Sequence, residues 1–502
     1  MKAIVFDLDG VLTQTQKLHA TAWREMFNEF LLKRSGAAAE FTPEDYRLYV
    51  DGKPRLEGIK SFLASRHIQI PDDEIEVLGN KKNKLYIAAL KKEGPHLIED
   101  SFSFVVKLAS KKVPMAVVSS SRNCRMIMEQ TGLIKFIPTI VTPDEAQTKN
   151  LRGKPQPDYF LEACRLLKVN PKESIMVEDA ISGIQAGRSA GFERVIGMKT
   201  SKDPGGMNEL KSAGADEVVT SLWDITGMDE YLKLENAREN IKKILEKNRN
   251  YFLFLDFDGT ISEIVRDPAD ARAVPGVVEL ISELGHRMPV CIITGRDTEV
   301  IRKFINLSHV YYAACHGFEI TGPSELHYEL TEARNMIPEF DKAQSFLSRK
   351  LGEYSGIIIE RKKFGLAFHY RMISSPEVRE KIITTVSDYC REHPTFKLRP
   401  GEEVIELLPN LKWHKGKALL KLYDVLELSK KDFPPLYFGD GKTDEDAFRE
   451  LINWGISILV SREGRPTLAH YKLETPSETK NVLREIKTYL ERNFERMDNE
   501  LR

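Results

Sequence analysis

Short unbroken apolar runs punctuate an otherwise charged chain, and several of them stop abruptly at an acid or a small polar residue. Phe252–Leu255 is one, closed by Asp256, Phe257, Asp258 and Gly259. A run this short and apolar on both faces predicts a buried parallel strand, and the carboxyl end of such a strand is where open α/β sheets bind ligands. Two aspartates two residues apart share one face of extended chain, so both acids are predicted to face that edge. The pattern occurs twice: Ala3–Phe6 runs into Asp7, Leu8, Asp9 and Gly10. Further strands are predicted at Pro114–Val118, which leads into Ser119, Ser120, Ser121, Arg122 and Asn123, and at Ser174–Val177, which ends in Glu178 and Asp179. In the second half, Pro289–Ile293 ends in Thr294, Gly295 and Arg296, and Pro435–Phe438 ends in Gly439, Asp440, Gly441 and, four residues after the first acid, Asp444.

Longer-period segments separate these strands. The amphipathic stretch His19–Leu32 and charged helical segments up to Lys92, interrupted by the polar turn Asp51–Arg55, predict a helical insertion over about 15–94. The extended-looking segments Glu217–Thr220 and Trp223–Leu232 are expected to close the first half, and residues 236–250, charged and helix-prone, to form a linker helix. In the second half, a strand carrying Glu360, Lys362 and Lys363, the alternating strand Leu366–Arg371 and the strand Val404–Leu408 predict a small α/β insertion over about 325–411. The fold class expected is α/β, with two tandem Rossmann-like cores over residues 1–235 and 251–495. From Asp7 to Ser119 is about 110 residues and from Ser119 to Lys154 about 35, whereas Asp256 to Thr294 is about 40 and Thr294 to Lys415 about 120; a βαβ step needs about 30. Each half therefore carries one large insertion at a different place, a candidate cap over the sheet edge.

A chain of 502 residues exceeds one ordinary core, which agrees with two domains. Lysine and arginine number 74 against 75 acids, a balance that argues against a nucleic-acid footprint or a polybasic membrane anchor. The five cysteines are never spaced as CxxC, so neither a disulfide framework nor a zinc site is expected, and no apolar run is long enough to cross a bilayer. These features, and a start without a charged leader, predict a soluble cytoplasmic protein; nothing in them fixes an oligomeric state.

The residues at the strand ends suggest phosphate chemistry. Hydroxyls and main-chain amides at a strand-to-helix turn, as at Ser119 to Asn123, suit phosphate oxygens. Lys154, in the stiff loop Gly153–Pro157, and Lys415 supply a cation in each half. Glu178 and Asp179, adjacent acids at a strand end, are hard oxygen ligands of the kind magnesium prefers. Taken singly, each has a blander reading: a helix cap for Ser119 or Thr294, a solvated side chain for either lysine, a packed turn for His316, cap core for His19 and Trp23, and an exposed charge face for Glu360, Lys362 and Glu406.

Taken in order, DxDG, a serine or threonine, a lysine and an acidic pair resemble the signature of the haloacid dehalogenase superfamily, present in both halves. The second half is similar to trehalose-6-phosphate phosphatases through LDFDGT, TGR, HGFE, the Glu360 and Lys362 strand, HYR, the Glu406 strand, WHKGKA and GDGKTDEDAF. The first half resembles β-phosphoglucomutase relatives through FDLDGVL, His19 and Trp23, VDGKPR, SSSRN, GKPQPD and VEDAISGIQAG. The resemblance implies an aspartyl-phosphate route, with Asp256 as nucleophile, Asp258 as acid and base, Thr294 and Lys415 holding the phosphoryl group, and magnesium held through Asp256, Asp258, Asp440 and Asp444. For the sugar phosphate it implies Arg296, His316, Glu319, Glu360, Lys362 and Glu406. The corresponding set in the first half is Asp7, Asp9, Ser119 and Lys154, a metal held through Asp7, Asp9, Glu178 and Asp179, and substrate contacts at Arg55, Ser121, Arg122 and Asn123. Two departures stand out: Gly441 occupies a place where those phosphatases usually have a second aspartate, and Gln14 one where relatives of the first half usually have an acid. The implied function is magnesium-dependent hydrolysis of trehalose 6-phosphate by the second half. The first half is then a second sugar-phosphate phosphatase, a mutase or a non-catalytic support; other sugar phosphatases remain the alternative for the whole.

Overall fold

The computed structural model describes residues 1–35, 40–200, 204–248, 250–265, 270–401 and 403–500. The chain divides into two units, Met1–Lys233 and Leu234–Arg502.

The first unit is built on a six-stranded sheet in the order Thr139–Val141, Met115–Val118, Ala3–Phe6, Ser174–Glu178, Arg194–Met198, Glu217–Val219. Every neighbouring pair is parallel. The two innermost strands and Met115–Val118 are buried throughout, which is why their sequences are apolar without alternation. Ala3–Phe6 lies between Met115–Val118 and Ser174–Glu178, so the chain steps outward on one side of it and later on the other. That reversal opens a crevice at the carboxyl edge, and Asp7, Ser119 and Glu178 stand on the three adjacent strand ends that border it. The insertion is helical: Gln16–Ser35, Arg55–Ser65 and Asp72–Glu93 close around Trp23, Phe27, Phe41 and Phe62. Trp223–Leu232 does not continue the sheet. It forms the 3-10 turn Leu222–Asp224 and the helix Asp229–Leu232, because Trp223 turns its indole N–H to Asp100 O at 3.0 Å and Gly227 takes a left-handed φ of 73°.

The second unit repeats the crevice. Its nine-stranded sheet runs His327–Glu329, Glu319–Thr321, Tyr311–Ala314, Val290–Ile293, Phe252–Leu255, Pro435–Gly439, Ile456–Val460, Tyr471–Leu473, Glu235–Asn236. Phe252–Leu255 is central, parallel to Val290–Ile293 on one side and Pro435–Gly439 on the other. The insertion is a four-stranded antiparallel sheet, Ile358–Lys362, Gly365–His369, Val404–Pro409 and Phe396–Gly401 in spatial order. The helices Ile337–Leu351 and Pro376–Glu392 cover its apolar face, where Leu366, Phe368, Ile405 and Leu407 are buried. Register puts Glu360, Ala367, Glu406 and Arg399 side by side on the opposite face.

Two expected boundaries are corrected. The helix expected over 236–250 is present as Ala237–Leu245, but it is not a linker: Glu235–Asn236 pairs with Tyr471–Lys472 as an edge strand, and the helix buries Ala237, Ile241, Ile244 and Leu245 in the second core. The insertion does not begin at 325, because His327–Glu329 pairs antiparallel with Glu319–Thr321 in the core sheet. The two α/β cores with differently placed caps are as the sequence predicts. No described helix is long and apolar enough to cross a membrane.

Candidate active sites

In the second unit Asp256 leaves the central strand 5 % exposed, and the Lys415 ammonium, 2 % exposed, lies 2.9 Å from its Oδ1. Lys415 is brought there by the helix Lys415–Val425, whose first turn is capped by His414 Nδ1 accepting from the Lys417 amide at 3.3 Å. The same ammonium donates to Asp444 Oδ1 at 2.9 Å. Asp444 is fully buried and also accepts from Tyr437 Oη at 2.6 Å and from the Gly441 amide at 3.0 Å. Both of its oxygens are thus engaged by the chain itself. Asp440 completes a group of three carboxylates whose oxygens lie within 4.8 Å of one another. Gly259, at φ 73°, makes room for it: a Cβ there would sit 2.0 Å from Asp440 Oδ2. Burial and the neighbouring Asp444 push Asp440 up to about 6, and burial with Asp444 and Asp440 pushes Asp256 well above the usual carboxylate range. Burial works against the Lys415 charge, but Asp256 and Asp444 outweigh it and hold Lys415 above its ordinary value. Asp256 and Asp440, with a glycine cleared beside Asp440 and Asp444 holding Lys415, fit a divalent cation.

Asp258 is placed differently. Its side chain is 45 % exposed and both oxygens accept from Arg296, Nε at 2.8 Å and Nη2 at 2.7 Å. Arg296 is itself wedged against the rings of Phe257 and Phe304. Thr294 is buried and its Oγ1 accepts the Arg296 amide at 3.2 Å. On the polar face of the cap sheet Lys362 Nζ is 2.6 Å from Glu406 Oε1, and Glu360 pairs with His369 at 3.0 Å. Arg399 stands 3.7 Å from Glu406 and reaches His316 in the core at 2.6 Å. Glu319 is not among this group. Its carboxylate accepts from Lys363 Nζ at 2.5 Å, from Thr298 and from His327, so it ties the hairpin of the cap to the core sheet.

The first unit assembles the same arrangement from other residues. Lys154, fully buried, donates to Asp7 at 2.5 Å and to Glu178 at 2.7 Å. Glu178 Oε1 also accepts from the Asp179 and Ala180 amides, each at 3.2 Å. A Cβ on Gly10, at φ 88°, would lie 2.0 Å from Asp179 Oδ2. By these contacts Glu178 matches Asp444 and Asp179 matches Asp440, and Asp7, Glu178 and Asp179 form the second carboxylate group. Burial and the neighbouring acids push Asp7 and Asp179 well up. Asp9 accepts from Thr15, lies 3.4 Å from Ser119 Oγ and 3.5 Å from His19; against burial, His19, Thr15 and Lys82 hold it below its ordinary value. Arg55, Ser121, Arg122 and Asn123 line one cavity of about 640 Å³ with Asp7, Asp9 and Asp179. The turn of the cap is fastened to the core around it, Ser120 donating to Gly52 O at 2.7 Å and Ser182 to Asp51 O at 3.0 Å.

Sequence reasoning missed Arg399, Arg465 and Lys82. Arg399 shows only through its cross-strand register with Glu406. Arg465 donates to Asp440 O at 3.0 Å from a loop without periodicity. Lys82, buried on one of the charged helices of the insertion, lies 2.6 Å from His19 Nδ1, and burial with Arg55 brings it down to about 7.

Comparison with known proteins gives the same division. Residues 254–477 match the trehalose-phosphatase family, and residues 1–191 match the haloacid dehalogenase-like hydrolases. A trehalose-phosphate phosphatase of Mycobacterium leprae is 32% identical over 395 residues, 76% of this chain and 90% of that protein. The chain belongs to the trehalose-phosphate phosphatase family. A Mycobacterium tuberculosis protein described as an uncharacterized glycosyl hydrolase is 30% identical over 498 residues; it covers 94% of this chain, and this chain spans 37% of its length. Among solved structures, a trehalose-6-phosphate phosphatase related protein aligns with TM-score 0.42 and 24% identity, covering 47% of this trehalose-phosphate phosphatase family member and 97% of that chain.

Proposed function

We propose that the second unit hydrolyses trehalose 6-phosphate to trehalose and phosphate with magnesium as its metal. The observation that carries the reading is that one unit holds both Asp256, linked through Lys415 to Asp444, and a cap face bearing Glu360, Lys362 and Glu406, from which Arg399 reaches His316 in the core at 2.6 Å. Asp256 Oδ attacks phosphorus, the bond from phosphorus to the sugar oxygen breaks, and Asp258 gives that oxygen its proton. Water then attacks the aspartyl phosphate, Asp258 takes back a proton, and phosphate leaves with Asp256 regenerated. Arg296 occupies both Asp258 oxygens and has to release them before this transfer. Thr294 and Lys415 hold the transferring group. Asp256, Asp440 and the main-chain carbonyl of Asp258 would hold magnesium, which when bound offsets the charge of the phosphoryl oxygens. Asp444, its oxygens already engaged, acts by positioning Lys415. Glu360 and Glu406 accept from sugar hydroxyls, and Lys362 complements charge on the ester. The corresponding test is phosphate release from trehalose 6-phosphate against sucrose 6-phosphate and glucose 6-phosphate. Asp256→Asn abolishes a preference for the trehalose ester and Asp7→Asn leaves it; turnover of trehalose 6-phosphate by Asp256→Asn would reject the assignment.

For the first unit we propose a second sugar-phosphate phosphatase or mutase, supported by the cavity that joins Asp7 and Asp9 to Arg55, Arg122 and Asn123. A hexose-phosphate screen of wild type and Asp7→Asn tests it. If no substrate separates the two proteins, the unit is a non-catalytic support.

A further inference from the structure

The turn Cys315–Gly317 holds two successive non-glycine residues in the left-handed region, Cys315 at φ 50° and His316 at φ 57°. The Cys315 amide donates to Arg296 O at 2.9 Å and the His316 amide to Thr294 O at 2.8 Å, which fastens this turn to the segment that follows Ile293. The imidazole is thereby laid on Gly295 so closely that a Cβ there would be 2.5 Å from His316 Cε1. Burial, the cap cation Arg399 that touches it, and the charges of Lys415, Lys362 and Lys397 hold its pKa well below the ordinary histidine value.

The ring's two nitrogens have different surroundings. Nε2 meets Arg399 Nη1 at 2.6 Å. A guanidinium has only N–H donors and keeps its charge, so Nε2 has to present its lone pair and the ring proton sits on Nδ1. Nδ1 is buried and has no hydrogen-bond partner in the protein. A buried N–H left unpaired is costly, and its usual explanation is an acceptor that arrives with a ligand. Arg399 itself is fixed by its place opposite Glu406 on the cap sheet.

We infer that Arg399 is a positioning residue that reaches from cap to core, sets His316 in the neutral Nδ1–H form, and so makes Nδ1–H a donor to an oxygen of the bound sugar phosphate. The inference rests on the trehalose 6-phosphate reading for its substrate, but the form of the ring is independent of that reading. Arg399→Lys keeps a donor-only cation beside Nε2; Arg399→Met removes it while keeping much of the bulk. His316→Asn offers an amide N–H near the position of Nδ1–H, whereas His316→Ala offers none.

Imidazole ¹⁵N spectra of the full chain, with the His316 signals identified by their loss in His316→Asn, report which nitrogen bears the proton. The expected result is Nδ1–H in wild type and Arg399→Lys, and a shift towards Nε2–H in Arg399→Met. With trehalose 6-phosphate, kcat/KM is expected to fall about 10- to 100-fold in Arg399→Met and His316→Ala, and less in Arg399→Lys and His316→Asn. Nε2–H in wild type, or an unchanged tautomer together with unchanged kcat/KM in Arg399→Met, overturns the inference. Wild type that does not hydrolyse trehalose 6-phosphate rejects the substrate assignment instead, and the spectra still decide the form of the ring.

Discussion

Gly259→Ala is the sharpest perturbation of the proposed metal site because the structure offers a matched control at Gly441, the residue next to Asp440. Gly259 has φ 73°, and a Cβ there would lie 2.0 Å from Asp440 Oδ2 and 2.9 Å from its Cβ. Left-handed backbone costs a non-glycine residue about 1–2 kcal/mol. The overlap with the carboxylate exceeds 1 Å by comparison with ordinary contact distances near 3.5 Å, and the chain relieves it most readily by swinging Asp440 aside. Such a swing spares the fold but moves a proposed ligand. The unfolding midpoint is therefore expected to fall by about 2–8 °C, at about 2–4 °C per kcal/mol for a unit of this size. The magnesium concentration giving half-maximal phosphate release should rise at least tenfold, corresponding to about 1.4 kcal/mol. Gly441→Ala is the control: φ is −108°, and the nearest atom to a Cβ is 3.5 Å away. It should change the magnesium requirement by less than about twofold. The assay is a magnesium titration of trehalose 6-phosphate hydrolysis beside thermal unfolding of the same proteins. An unchanged magnesium requirement in Gly259→Ala, or an equal rise in Gly441→Ala, would refute the reasoning.

Lys415→Met strands Asp256 and Asp444 without their buried counter-charge. Breaking such a pair costs about 3–5 kcal/mol, and the expected outcome is loss of turnover with a lowered denaturant midpoint, read by equilibrium unfolding. Asp440 is raised to about 6 in the metal-free protein, so its contribution to stability is fully present below the unfolded value near 3.8 and is lost as pH rises to 6. Metal-free protein should accordingly lose stability between about pH 4 and 6, and magnesium affinity measured by calorimetry should weaken as pH falls through 6; a flat profile in both would contradict the raised value. Lys362→Met removes a cap cation 2.6 Å from Glu406, and the expectation is a rise in KM for trehalose 6-phosphate with kcat less affected, measured by steady-state kinetics.

Much of this was legible in the sequence because strand and chemistry coincide. Phe252–Leu255 and Ala3–Phe6 are short, apolar on both faces and followed directly by their acids, so one reading yields both the element and the edge at which those acids stand. What failed was information carried by pairing. Glu235–Asn236 is a strand only because Tyr471–Leu473 offers it an edge, and two residues have no periodicity to read. The helix after it carries a signal, Ala237, Ile241, Ile244 and Leu245 at helical spacing, set among the charges that make the segment read as a linker. Trp223–Leu232 looked extended from its aromatic and apolar content, yet an indole hydrogen bond and a left-handed glycine fold it into turns. Glu319 lies in a segment that resembles a substrate motif, but its partners Lys363, Thr298 and His327 come from three different places in the chain. Arg399 is visible only once the cap register is known.

The two units reach one arrangement of charge by different routes. In the first, the acid that holds the lysine directly precedes its companion, Glu178 before Asp179; in the second it follows by four residues, Asp444 after Asp440. In both, one ammonium stands among three carboxylates, Lys154 with Asp7, Glu178 and Asp179 and Lys415 with Asp256, Asp440 and Asp444. With these three acids ionised that is an excess of two negative charges, and the phosphate monoester proposed for each crevice is itself a dianion. On the proposed reading that excess couples the two ligands: a divalent cation would offset it, so ion and ester would each raise the other's affinity, and a crevice without its ion would be a weak site for the ester.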